Sequence, residues 1–324
     1  MNADVTLEAP QTATATTASP TRVNTTGLAT LAPDLTSRPA RSPGQIAIAR
    51  FRRSKLAIFG LLMIGLIALI AVFADTIAPY GENEIDLFNI TADPTAEHWL
   101  GTDELGRDEL SRLMFGARVS LLVGVGTALV STLIGIVVGA LAGYYGGWID
   151  SVLMRAVDVI LAFPAIFLLL MFFSIQGSSV FTVILFLGLF SWMWLARVIR
   201  GEFLSLKQRD FIEAARAIGV PDGRLMWRHL LPNVGAAIIV SSTLTIAYAM
   251  LSEASLSFLG FGVPAGTPTW GNMLNAARPN YTQVPLLAIA PGLAIVFAVL
   301  AINFVGDGLR DALDPRGRIG GNGA

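Results

Sequence analysis

The 324-residue chain is 54% hydrophobic and 14% charged, with a formal net charge of −1. A soluble domain carries about 25% charged residues, so this composition excludes an ordinary soluble protein and points to a membrane protein. With no cysteine and only His98 and His229 as histidines, disulfides, thiolate sites and cysteine nucleophiles are excluded and no protein metal site is expected.

Residues 1–45 are rich in Thr, Ala and Pro, show no apolar periodicity and read as a disordered cytoplasmic tail. They lack the basic start and apolar core of a cleavable signal peptide. Residues 46–116 make a second region: a basic arm ending in "RFRRSK" at 50–55, the first span, and an acidic outer loop. Residues 117–316 make a core with five further spans, and 317–324 a cytoplasmic C-terminal tail.

Six segments approach the roughly 20 apolar residues that a membrane-crossing helix needs: 56–74, 119–143, 157–175, 180–196, 234–252 and 284–305. In the first outer loop, His98 is expected to be solvated. A helix over 107–115, with Leu110, Leu113 and Met114 on one side, is expected to lie on the membrane surface and to suit either anchoring or a docking platform. The second span carries Ser131, Gly135, Gly139 and Gly143 at four-residue spacing, which lets two helix backbones approach closely. Pro164 should kink the third span, and "QGSS" joins the third and fourth into a hairpin.

Arginines and lysines set the orientation. Seven precede the first span, one follows the second, seven lie between the fourth and fifth, and three follow the sixth. That puts 18 of the 22 on one side, so both ends are expected in the cytoplasm. Much catalytic chemistry is missing. The only lysines, Lys55 and Lys207, are not in a phosphate-binding loop, and neither a G-x-S-x-G nor an H-E-x-x-H motif occurs. The basic residues follow membrane topology, so no nucleic-acid partner is expected.

The loop at 200–233 stands out as a charged, helix-like stretch between apolar runs. Phe211, Ala214, Ala215 and Ile218 share one face of a first short helix, opposite Arg209, Glu213 and Arg216. Gly219 suits the left-handed residue that ends it. Pro221 and Asp222 open a second helix over 222–230, which Leu231, Pro232 and Asn233 end. Such a pair suits docking on a partner or lying in the headgroups. In the fifth span Ser241, Thr245, Tyr248 and Ser252 form a polar stripe that could line a passage or bond neighbouring helices. Glu253 follows at its outer end and is open to pairing with an arginine.

Glu213-Ala214-Ala215, then Gly219, then His229-x-Leu231-Pro232-Asn233 resembles the cytoplasmic signature loop of binding-protein-dependent ABC importer permeases. Pro221 stands where that family often has serine. Residues 98–124, 252–274 and 303–316 resemble segments of its dipeptide/oligopeptide/nickel branch, and the first span resembles the C-type subunit. The resemblance implies an all-α membrane protein with a type I, six-transmembrane-helix bundle and a cytoplasmic coupling helix, sited in the bacterial inner membrane. It also implies a homologous second permease, two ABC ATPase subunits that bind ATP and Mg in place of this chain, and an extracytoplasmic substrate-binding protein. No catalytic residue is expected; the cargo would be a di- or oligopeptide, a nickel chelate or a related solute. The rival expectation is an ion-coupled secondary transporter using Glu253.

Overall fold

The computed structural model describes residues 42–314, and all regular elements among them are helices. The tail expected over 1–45 lies outside the described residues up to residue 41, and the tail at 317–324 lies wholly outside.

Helix α1 (Pro43–Phe51) precedes α2 (Lys55–Val72), whose start is fixed by Ser54: its Oγ accepts from the Ala57 N–H at 3.3 Å. The short α3 (Ala74–Ile77) leads into the outer loop, which ends at Asp108, the cap of α4 (Glu109–Tyr145). The Asp108 carboxylate accepts from the Ser111 N–H at 2.8 Å and from its hydroxyl at 2.7 Å. With 37 residues, α4 is about 55 Å long at 1.5 Å per residue, against a hydrocarbon core of about 30 Å. It therefore projects well beyond the bilayer. The separate surface helix expected over 107–115 is corrected: residues from Glu109 onward are the first turns of α4, and Arg112 is 2% exposed.

Past Gly146 and Gly147, both with positive φ, come α5 (Gly147–Leu161) and α6 (Ala165–Gln176), inclined by 79° to one another. The third span is broken rather than kinked. Pro164 disfavours the helical region for Phe163 and itself stands in extended conformation before α6. A capping box of Ser179 and Thr182 opens α7 (Val180–Leu206). Next come α8 (Asp210–Ala217) and α9 (Asp222–Arg224). A π-helical turn (Leu225–Leu230) then carries the chain straight into α10 (Leu231–Phe258), with α11 (Trp270–Ala277) and α12 (Leu286–Leu313) completing the fold. Five helical runs are long and apolar enough to cross a membrane; α5 with α6 makes a sixth only as a bent pair.

In lipid, packing rather than water exclusion holds helices together, and α4 against α7 is the most extensive contact in the bundle. At Gly139 a Cβ would stand 2.5 Å from the Ala196 carbonyl oxygen, and at Gly143 2.6 Å from the Phe203 Cβ. The expected small-residue stripe is thus a seam in which the two backbones touch. Thr132 Oγ1 and Ser242 Oγ, 2.7 Å apart, join α4 to α10 on another face.

Candidate functional site

The loop at 200–233 is tied to the Tyr144 end of α4 and the Leu206 end of α7. Ile212 and Ala215 on α8 are buried in one apolar cluster with Tyr144 of α4, Phe203 of α7, and Leu225, Met226 and Leu230 of the π turn. Lys207 Nζ donates to the Tyr144 carbonyl at 2.6 Å and lies 5.6 Å from the centre of its ring. The Tyr144 hydroxyl in turn donates to Asp222 Oδ1. One tyrosine at the last turn of α4 thereby holds both ends of the segment that carries α8.

Gly219 ends α8 as expected, with φ +82°. Its N–H donates to the Arg216 carbonyl at 3.0 Å and the Val220 N–H to the Ala215 carbonyl at 3.1 Å, the paired bonds of a Schellman ending. Two expectations need correction. The apolar face read as Phe211, Ala214, Ala215 and Ile218 is split, because Ile212 and Ala215 turn inward. Phe211 at 45% and Ile218 at 82% stay exposed, with Ala214 between them. Nor do Leu231, Pro232 and Asn233 end a helix, because they lie in the opening turn of α10. Pro232 lacks an N–H and its ring crowds the carbonyl four residues back, and the wider π turn just before it relieves that crowding. Asn233 Nδ2 supplies a donor there, reaching the His229 carbonyl at 2.6 Å. Glu213, Pro232 and Asn233 are exposed, and His229 and Leu231 are partly buried.

Ser241, Thr245 and Tyr248 do come together. With Phe190, Ser191 and Trp194 of α7 and Leu161 at the end of α5, they line a cleft of 320 Å³. Thr245 Oγ1 is also bonded to the Ser241 carbonyl at 2.9 Å. Ser252 and Glu253 are not part of this lining. Glu253 is 1% exposed and accepts from the Ser257 hydroxyl at 2.7 Å. The Ser257 oxygen also accepts from the Val263 N–H at 3.2 Å. The side-chain partners of Glu253 are thus the hydroxyls of Ser257 and Thr269 rather than an arginine, and through Ser257 it knots the Phe258 end of α10 to the following loop.

The outer loop holds what periodicity could not reveal. His98, expected in solvent, is 3% exposed. Its Nδ1 lies 2.9 Å from Asp108 Oδ1, and its ring stacks on Tyr80 at 4.7 Å. Arg107 and Arg112 are buried as well; Arg107 Nε donates to Asp103 Oδ2 at 2.8 Å, and Arg112 to the Glu82 carbonyl at 3.1 Å. Bonds from the Asn89 amide and the Phe88 N–H hold the Asp86 carboxyl below its ordinary value. No group of three or more potential metal ligands occurs among the described residues.

Comparison with known proteins extends these observations. A family described as binding-protein-dependent transport system inner membrane component matches residues 135–319. The N-terminal transmembrane domain of oligopeptide transport permease C matches residues 42–94. The glutathione transport system permease protein GsiD of Escherichia coli O6:K15:H31 is 45% identical over 277 residues, 85% of this chain and 91% of that protein. GsiD of Pectobacterium atrosepticum is 43% identical over 290 residues, 89% and 96% of the two chains. A permease protein of Brucella suis biovar 1 is 44% identical over 272 residues, 83% and 90%. Among solved structures, an inward-facing MetNI methionine ABC transporter chain matches with a TM-score of 0.50 at 19% identity, over 63% of this chain and 96% of that one. This last likeness concerns the fold.

Proposed function

The chain belongs to the family of binding-protein-dependent transport system inner membrane components and is a multi-pass permease subunit of an ABC importer; from that premise we propose that its cargo is a peptide and that α8 is the handle by which separate ATPase subunits move it. The names of its relatives, glutathione permease and oligopeptide permease C, support a short peptide as cargo.

In this reading the chain pairs with a homologous permease, and a binding protein delivers cargo at the outer end. ATP and Mg are bound by two partner ATPases at the inner end, where both termini of this chain also lie. The chain itself performs no covalent chemistry. Glu213, Ala214, Gly219 and the exposed Phe211 and Ile218 meet the ATPase, while Ala215 and Ile212 pack inward. His229, Leu231, Pro232 and Asn233 join the loop to α10 without a flexible break. ATP-driven approach of the two ATPases then displaces α8, and the Lys207–Tyr144–Asp222 tie passes that displacement to α4 and α7 together. The cleft of Ser241, Thr245 and Tyr248 lies between α7 and α10, so relative movement of those helices changes its width; that is the element of alternating access this chain contributes. Ser252 and Glu253 border the path only at its outer end. The ion-coupled alternative has no support: Glu253 is sealed away from the cleft, and the family works through a binding protein.

One observation carries this reading: an apolar ridge, Phe211–Ala214–Ile218, exposed on a short helix whose adjoining Ile212–Ala215 face is buried among the ends of two spans. The test is Ile218→Asp in the co-expressed transporter, beside changes at Glu213 and Gly219. The expected result is normal membrane insertion, loss of ATPase subunits on purification, and loss of ATP-driven uptake of labelled di- and tripeptides. Full uptake by Ile218→Asp with the ATPases retained would overturn the coupling role.

A further inference from the structure

The outer loop displays a second apolar feature that the transport cleft and the coupling ridge do not use. Within residues 85–90, Phe88 is 99% exposed, Leu87 73%, Ile85 53% and Ile90 50%. These side chains stand on a rigid base. The Asp86 N–H donates to the Gly106 carbonyl at 2.9 Å, and Asp86 Oδ1 accepts from the Phe88 N–H at 2.9 Å. The Thr102 hydroxyl donates to the Asn89 carbonyl, and the Thr91 N–H donates to the Asp103 carbonyl at 3.0 Å. Thr91 has φ +52°, the one left-handed non-glycine among the described residues, a conformation that a β-branched residue keeps only where its surroundings enforce it. A chain that merely crossed the surface would have no need to hold a bare phenylalanine so firmly.

Charge identifies what covers it. The exposed ionisable groups without a basic partner are carboxylates: Glu82, Glu84, Asp93, Glu97 and Glu104. Arg107 and Arg112 are buried, and the partly exposed Arg118 is paired with Asp75 at 2.7 Å. An anionic lipid surface would repel such a rim, whereas a protein face with an apolar pocket ringed by lysines or arginines complements it. The tip also lies at the Asp108 end of α4, at the far end of a 37-residue helix from Tyr144 and the coupling segment.

We propose that the 85–90 tip is a docking knob for the extracytoplasmic binding protein, with Phe88 entering an apolar, basic-rimmed pocket on that partner. This rests on the importer reading above. The test uses the complete transporter in liposomes, titrated with its loaded binding protein and read out as ATPase stimulation. Because the Phe88 side chain touches almost nothing, Phe88→Asp leaves the fold and basal hydrolysis unchanged. It raises the binding-protein concentration for half-maximal stimulation by roughly tenfold or more, as expected for loss of an aromatic anchor. An unchanged half-maximal concentration overturns the docking role while leaving the importer reading intact; a wild-type transporter that no binding protein stimulates overturns both. A photoreactive benzoylphenylalanine at position 88 gives the independent reading: cross-links to the binding protein support the proposal, and cross-links confined to lipid or to the second permease overturn it.

Discussion

Among single residues, Gly219 carries the clearest constraint. Its φ of +82° costs an L-residue about 1–2 kcal/mol, and a Cβ there would meet nothing within 4 Å. Strain is then the whole folded-state effect of Gly219→Ala; set against the smaller gain from restricting the unfolded chain, it is expected as a net loss of about 1 kcal/mol in thermal unfolding of the purified complex. Gly223 is the control: it is helical, has no positive φ and is equally open. Gly223→Ala should stabilise by about 0.4–1 kcal/mol by restricting the unfolded chain. If the two changes had equal effects, the Schellman ending would not be what fixes α8. Gly219 was legible in the sequence because a left-handed helix end selects glycine by itself. The buried face of α8 was not: Phe211–Ala214–Ile218 and Ile212–Ala215 are both apolar stripes at helical spacing. Only the packing against the ends of α4 and α7 decides which one is covered, and Tyr144 of α4 lies more than 60 positions before α8. His98 was misread for the same reason, since Tyr80 and Asp108 bury it through the fold of the loop.

At the scale of the helix, hydropathy located the spans but not their ends, because a capped helix continues into water after its apolar stretch has stopped. Asp108 starts α4 ten residues before the expected second span, and α7 runs to Leu206, ten residues past the expected end at 196. The break at Pro164 and the straight run through Pro232 show one residue type acting in two ways. Pro164 follows a residue that cannot stay helical beside it, whereas Pro232 falls in an opening turn that a π segment widens. The α4–α7 seam yields a sharper expectation. At Gly139 a Cβ would stand 2.5 Å from a backbone oxygen, which no rotamer change can move; at Gly126 the nearest atom is a terminal carbon of Ile184 at 3.0 Å. Gly139→Ala should therefore force the helices apart at a cost of about 1–3 kcal/mol, while Gly126→Ala should be absorbed by the Ile184 side chain. Thermal unfolding in detergent measures the difference, and similar stabilities for the two variants would mean that the backbones are not in contact.

For the whole molecule, the decisive quantity is the reach of α4. A helix of about 55 Å crossing about 30 Å of hydrocarbon has its ends on opposite sides of the membrane, and the two proposed docking features are fastened to those ends. The outer loop meets Asp108, and the coupling segment meets Tyr144. Exposed basic residues separate in the same way: Arg209, Arg216, Arg224 and Arg228 stand near the second end among the exposed Glu202, Asp210, Glu213 and Asp222, while carboxylates dominate the surface near the first. Basic loops stay on the cytoplasmic side, so Phe88 should face outward and Ile218 inward. The chain has no cysteine, so a single introduced one reports without background. On intact spheroplasts a membrane-impermeant maleimide should label Phe88→Cys and leave Ile218→Cys unlabelled until the membrane is opened. Both sites are highly exposed in this chain, at 99% and 82%, so in a permease expressed without its ATPases and binding protein a failure to label reports the barrier in between rather than burial. Labelling of Ile218→Cys from outside would invert the orientation, put the coupling ridge beyond the reach of any ATPase, and remove the handle and the docking knob together.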